Sequence, residues 1–299
     1  MDLIIQALDD KSGKVQEAAY WLLQDRKDPR VKPVLQAYNP YLFFECLYTI
    51  DIGRVYSLAL SPDGKILVSV DYDNTVKVWD LQTQQLIHTL NIVPKKIQKA
   101  FITPSEKILG LWGCNDFVEV WELQTGQLIS TTRPISGDDF SVAAVSPSGE
   151  TFVNVGNGDD LDYINYMLFD VWTGKDIHWI EMRRPYRGDP PIGTNEQILI
   201  TLHHENNIIM LWDWDTGQLI RTLTGHSSYV SSAVMSSDKR FLISSSIDKT
   251  ILVWNLRTGQ KLSTLNGHSS PVTRIALSID GQVLVSTDAD GTTNVWGLP

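Results

Sequence analysis

With 299 residues, 42% of them hydrophobic and 20% charged, the chain is long enough to bury one large repeat domain or two ordinary ones. Its 25 Lys and Arg against 35 Asp and Glu leave a formal net charge of −10, so a nucleic-acid partner is not expected. Two cysteines, Cys46 and Cys114, cannot build a disulfide framework, and no apolar run reaches transmembrane length; a cytoplasmic protein without membrane insertion is the expectation.

Residues 1–40 carry a helical period. Val15, Ala18, Ala19, Leu22 and Leu23 recur at helical spacing behind the capping candidates Asp10 and Ser12. Leu3, Ile4, Ala7 and Leu8 suggest an earlier helix, and a third is expected to start at Pro29 or Pro33 and end near Tyr38. The stretch around Val15, Ala18, Ala19 and Leu22 resembles one HEAT-type helical repeat. A single such repeat cannot bury its apolar face alone, so this arm must pack on the rest of the chain or on a partner.

From residue 41 to residue 299 the period changes. Trp79, Trp121, Phe169, Trp212, Trp254 and Trp296 are spaced by 42, 48, 43, 42 and 42 residues. Before each aromatic runs a short alternating segment, such as Thr75-Val76-Lys77-Val78 or Thr250-Ile251-Leu252-Val253. After it comes a turn signal, as in Thr125-Gly126-Gln127 or Thr258-Gly259-Gln260, where glycine reaches positive φ at no steric cost. Strand-like runs follow, including LIHTL and LIRTL, and then a turn opening a β-rich strand, as in SPDGKILVSV. Each unit therefore holds about four short strands.

These features resemble the WD-repeat family over residues 45–299. Trp79-Asp80 matches the pair that names the family, and Gly225-His226 and Gly267-His268 match its Gly-His element. The resemblance implies an all-β fold: a six-bladed WD-repeat β-propeller behind a short α-helical arm. It also implies a buried network within a blade, carried here by His226, Ser244, Asp248 and Trp254 and by His268, Ser286, Asp290 and Trp296. The first blade keeps Ser69, Asp73 and Trp79 without the histidine. The last unit stops after its third strand, and Cys46-Leu47-Tyr48-Thr49-Ile50 reads as the missing fourth, supplied from the N-terminal side to cover an open edge.

Three units depart from the pattern. Asn115, Tyr163 and Asn206 stand where the family has its Asp. An insertion around residues 157–162 brings Asp159, Asp160 and Asp162 into a loop, read first as solvated and second as a contact for a basic partner or a cation. The carboxylates lack the D-x-[DN]-x-[DN]-G spacing of a calcium loop. The segment 183–191, with Arg183, Arg184, Arg187 and three prolines, suits only an edge strand at the start of the fourth unit. It reads first as irregular loop and second as an anion contact.

Chemistry is sparse. There is no G-x-S-x-G, no G-x-x-x-x-G-K-[ST] and no H-E-x-x-H. The adjacent pair His203-His204 would point to opposite faces of a strand, so no metal site and no cofactor are expected. The family resemblance implies instead a protein–protein scaffold whose top face engages partners through Arg54, Tyr56, Tyr72, Gln98, Asp139, Tyr229, Ser231, Ile247 and Thr273. A sensor for a small anion or phosphopeptide, and an enzyme using a central channel, are the alternatives.

Overall fold

The computed structural model describes residues 2–10, 13–24, 30, 38–90, 97–102, 108–113, 117–132, 141–145, 151–157, 163–170, 176–183, 193–194, 198–203, 207–213, 216 and 218–298. Among the described residues, twenty-four strands make six four-stranded antiparallel sheets. The first sheet holds β2 (Val55–Leu60), β3 (Ile66–Asp71), β4 (Val76–Asp80) and β5 (Gln85–Leu90). The second holds β6 (Ile97–Ile102), β7 (Ile108–Gly113), β8 (Phe117–Glu122) and β9 (Gln127–Thr132). The third holds β10 (Ser141–Val145), β11 (Thr151–Asn157), β12 (Tyr163–Asp170) and β13 (Asp176–Arg183). The fourth holds β14 (Gly193–Thr194), β15 (Ile198–His203), β16 (Ile208–Asp213) and β17 (Leu219–Thr224). The fifth holds β18 (Val230–Met235), β19 (Phe241–Ser246), β20 (Ile251–Asn255) and β21 (Lys261–Leu265). In the sixth, β22 (Val272–Leu277), β23 (Leu284–Asp288) and β24 (Thr292–Gly297) are joined by β1 (Glu45–Asp51), in the order β1-β24-β23-β22.

Each periodic aromatic lies in the third strand of its sheet. The turns derive from local chemistry. At the β2–β3, β18–β19 and β22–β23 turns, Ser61, Ser236 and Ser278 each donate a hydroxyl proton to the carboxylate two residues on, Asp63, Asp238 and Asp280. The next residue has positive φ: Gly64 at 69°, Lys239 at 60° and Gly281 at 74°. Glycine costs nothing there, whereas Lys239 carries strain.

The N-terminal strand is tied to the end of the chain. β1 pairs antiparallel with β24 from Glu45↔Gly297 to Asp51↔Thr292, and the Thr49 hydroxyl donates to Asn294 Oδ1 at 2.8 Å. The edge of β24 is thereby covered. Tyr48 reaches further, donating its hydroxyl proton to the Leu81 carbonyl of the first sheet at 2.6 Å.

Apolar faces meet between consecutive sheets. Val68, Val70, Val76 and Val78 pack with Ile97, Leu109 and Leu111. Ile200, Leu202 and Leu211 pack with Val230, Leu242 and Trp254. Phe241, Ile243 and Val253 pack with Val272, Leu284 and Trp296. The sixth sheet also meets the first, through Val285 and Val295 against Val55 and Leu67. Along one line the first strands touch in order: β2 with β6, β6 with β10, β10 with β14, β14 with β18, β18 with β22, and β22 with β2.

The N-terminal arm contains α1 (Asp2–Gln6) and α2 (Gly13–Gln24), separated by a 3-10 turn at Ala7–Asp9. Only part of the expected apolar stripe is buried. Leu8, Ala19 and Leu23 cluster with Tyr38, but Val15, Ala18 and Leu22 are exposed. Gln16 takes the inward place that the period gave to an apolar residue, its amide donating to the Asp10 carbonyl at 2.6 Å. The expected third helix falls mostly outside the described residues. A 3-10 turn, Pro40–Phe43, leads into β1, with Asn39 Oδ1 accepting the Tyr41 N–H at 3.1 Å.

The arm is fastened to the fifth and sixth sheets. Tyr41 and Phe44 enter the same cluster as Phe241 and Trp296. Arg240 lies across the Phe241 ring at 4.8 Å and donates to the Tyr38 carbonyl at 2.8 Å and to the Tyr20 hydroxyl at 3.3 Å. A charged donor on a carbonyl contributes about 1.5–3 kcal/mol. We expect Arg240→Ala to lower the melting temperature and to speed tryptic cleavage within residues 1–40, read by mass spectrometry. Cleavage as slow as in the unaltered protein would mean that Arg240 does not hold the arm.

Candidate interaction surface

The sheets are stiffened by their tryptophans, whose indole N–H groups are buried and need acceptors. Nε1 of Trp79, Trp254 and Trp296 donates to Ser69, Ser244 and Ser286 at 2.9, 2.8 and 2.7 Å. Two departing units find substitutes: Trp212 donates to Thr201 Oγ1 at 2.8 Å and Trp121 to the buried Glu119 at 3.2 Å.

In the fifth sheet the network continues. His226 Nδ1 meets Asp248 at 2.9 Å, and its Nε2 meets Ser244 Oγ at 2.8 Å. A carboxylate only accepts, so Nδ1 carries the proton and Nε2 accepts from the serine hydroxyl, whose oxygen takes the indole proton. A neutral imidazole satisfies every donor and acceptor along this relay.

The sixth sheet differs from expectation. His268 Nδ1 meets Asp288 at 3.0 Å, not Asp290, and Nε2 meets Ser286 at 2.6 Å. Asp290 turns outward, accepts from Ser270 and faces Arg54 at 4.0 Å. The reason is strand geometry: Asp288 stands two residues after Ser286, on the same face, where an acid reaches the histidine. In the fifth sheet that place is held by Ser246, so the acid comes later, at Asp248. The first sheet resembles the sixth. Asp71, two residues after Ser69, accepts the turn N–H groups of Asp73 and Thr75, and Asp73 lies outside the network.

Burial pushes both imidazoles below their ordinary value, against the opposing pull of Asp248 and Asp288. Burial also raises the Asp248 carboxyl, but hydrogen bonds from Thr250, Ser227 and His226 overcome this and leave it below the usual carboxylate range. The unfolded histidines take up protons below about pH 6.5 while the native ones resist, so the unfolded state binds more protons there. Stability is therefore full above that value and falls as pH drops from it towards the depressed native value. Calorimetric melting between about pH 8 and 5 should show this fall, and His226→Asn with His268→Asn should flatten it. An unchanged slope in the double variant would contradict the assignment.

One end of the sheets carries a repeated irregularity. In β2, β6, β18 and β22 the register shifts after the first residue, leaving Tyr56, Gln98, Ser231 and Thr273 as the extra residue outside the ladder. Such bulges re-aim side chains at sheet rims. Four expected contact residues occupy this place, and their environments differ. Ser231 Oγ donates to the Val272 carbonyl of the next sheet at 2.6 Å. Thr273 Oγ1 donates to the Thr287 carbonyl at 3.1 Å. The Tyr56 hydroxyl bridges to Asn74 at 3.2 Å and to the Ile97 carbonyl of the second sheet. These three are tied into the fold.

Other expected residues lie at the same end with more of their surface open. Tyr72 is 67% exposed and tilts against Tyr56 at 5.7 Å between centroids. Arg54 and Ile247 are exposed, and Tyr229 is half-buried. Gln98 is placed by its strand alone. Asp139, Asp159, Asp160, Asp162, Arg184 and Arg187, together with Cys114 and the pair His204-Glu205, lie outside the described residues. Arg183 ends β13 in the third sheet, and the described part of the fourth sheet's innermost strand is Gly193–Thr194; the rest of the arginine-rich stretch lies outside the described residues.

One residue was missed by sequence reasoning. Arg274, next to the bulged Thr273, lays its guanidinium over the seam between the sixth and first sheets, donating to the Tyr56 carbonyl at 2.5 Å and the Thr273 carbonyl at 2.7 Å. Its position in the repeat, equivalent to Ser57 and Ser232, was the available signal. Among the described residues no group of three or more His, Cys, Asp or Glu is placed to hold a metal, and no helix is long and apolar enough to cross a membrane.

Family comparison agrees with this architecture. The model of the WD40 family, described as WD domain, G-beta repeat, matches residues 44–80, 217–255 and 259–297. Over these stretches the chain is built of WD repeats. It is similar to the small ribosomal subunit protein RACK1 of Caenorhabditis elegans, at 35% identity over 66 residues covering 19% of this chain. The match spans 20% of that relative's length.

Proposed function

We propose that this chain is a non-enzymatic, cytoplasmic interaction scaffold: a closed six-bladed propeller whose bulged face binds other proteins. Each four-stranded sheet is one blade, and β1 seals the ring. The cyclic contact of the first strands and the packing of the sixth sheet on the first support closure. The observation that carries the binding surface is the exposure of Tyr72, Arg54 and Ile247 at the bulged end of the sheets, where Tyr56 and Ser231 are locked by inter-sheet hydrogen bonds. Tyrosine and arginine are enriched among the residues that dominate interface energies, and a rigid platform loses little entropy on binding. The relative's name places that protein in the small ribosomal subunit, which is in keeping with a scaffold role here.

The test is affinity capture from the native cell with the full chain and with Tyr72→Ala plus Ile247→Ala. Tyr56 is left intact because its hydroxyl joins two sheets. Loss of the captured partner at an unchanged melting temperature is the expected outcome. Undiminished capture by the folded variant would remove this face from the account.

A further inference from the structure

Resting on the scaffold reading, one feature of the bulged face defines what its partner presents. Arg274 is largely buried, yet among the described residues no carboxylate lies within ion-pair distance of it. Buried cations are ordinarily paired, because a desolvated charge without a counter-charge is costly. The nearby acids are already engaged. Asp71 serves the turn N–H groups and Lys77, Asp288 serves His268 and two turn N–H groups, and Asp290 serves Ser270 and Arg54.

The guanidinium has five donors. Two are used on the Tyr56 and Thr273 carbonyls through Nε and Nη1, which fixes the plane of the group. The remaining Nη1 and Nη2 protons form the end-on edge of the fork. Burial lowers the guanidinium's affinity for its own proton, while the charges of Tyr72 and Tyr229 oppose that shift.

We propose that Arg274, held at the seam between the sixth and first sheets, receives the carboxylate of an Asp or Glu side chain from an acidic segment of a polypeptide partner. A planar carboxylate matches the free edge of a planar guanidinium in a two-point, charge-assisted contact. A phosphate dianion fits less well, because Arg54, another described cation of this rim, already faces Asp290.

The test uses full-length protein and three short fluorescein-labelled peptides, Glu-Gly repeats, Gln-Gly repeats and phosphoserine-Gly repeats, read by fluorescence anisotropy. The Glu-Gly peptide should bind in a salt-sensitive manner and the Gln-Gly peptide should not. Arg274→Gln should weaken Glu-Gly binding by about thirtyfold or more, the loss expected from removing one partner of a buried charge pair. Because Arg274 also bridges two sheets, Arg274→Lys keeps a charge and one carbonyl contact; it should remain folded, melting above Arg274→Gln, and still bind at least about tenfold more weakly, having lost the fork. Equal binding of Glu-Gly and Gln-Gly, preference for the phosphoserine peptide, or full binding by folded Arg274→Lys would each overturn the proposal. If the Arg274 variants keep the native partner while Tyr72→Ala plus Ile247→Ala loses it, the carboxylate chemistry fails and the binding face stands. If every variant keeps the partner, the face itself fails.

Discussion

The structure depends on one small requirement, that a buried indole N–H must have an acceptor. An unsatisfied one costs about 1–3 kcal/mol, and this chain repeats the problem in sheet after sheet. Trp79, Trp254 and Trp296 solve it with a serine ten residues earlier on the neighbouring strand, Trp212 with Thr201, and Trp121 with Glu119. In the third sheet the periodic place is held by Phe169, whose phenyl ring has no donor. In the fifth and sixth sheets the acceptor is itself oriented by a histidine and an acid. One tryptophan thus organises three strands and the loop that enters the sheet, and a neutral imidazole is the state in which the whole chain of bonds is satisfied.

From that internal order comes the outer surface. Once the middle strands are fixed, the bulge at the start of the first strand sets which side chains leave the sheet. Ser231 is spent on the carbonyl of the next sheet, Tyr56 on two acceptors and Thr273 on its own sheet, while Tyr72, Arg54 and Ile247 remain for contact. The proposed binding face is therefore a by-product of inter-sheet locking. Its rigidity and its composition have the same origin. The arm sits elsewhere, held through Arg240, Tyr38 and Tyr41 near the turns of the fifth and sixth sheets.

Much of this was legible in the sequence because the repeat is spaced by strand geometry. The periodic aromatics mark the third strands, and the segment at residues 46–50 reads as a strand because its neighbours alternate like those before residue 90. The illegible part turns on distances that sequence spacing does not carry. Asp290 and Asp73 stand where Asp248 stands in its repeat, yet the acid two residues after the serine takes the inner place: Asp288 meets His268, and Asp71 accepts turn N–H groups in a sheet without the histidine. Thr201 and Glu119 replace serine from other positions on their sheets, so no single offset finds them. Arg274 looks like any surface arginine until the carbonyl of Tyr56, far away in the chain, is brought to it. In the arm, Val15 and Leu22 share a period with Ala19 and Leu23, but period alone does not say which half of an apolar stripe the neighbouring segment covers.

The central claim is that strand β1 seals a closed ring, so that the binding face is one rigid surface. Native-state amide hydrogen exchange, resolved residue by residue, tests it most directly. A ring sealed in this way predicts that the paired amides of Glu45–Asp51 exchange only through global unfolding, with the same opening free energy as those of β24 and β23. Exchange of β1 amides at the rate of a fraying terminus, with β24 protected, would show that the ring is not held shut by this strand.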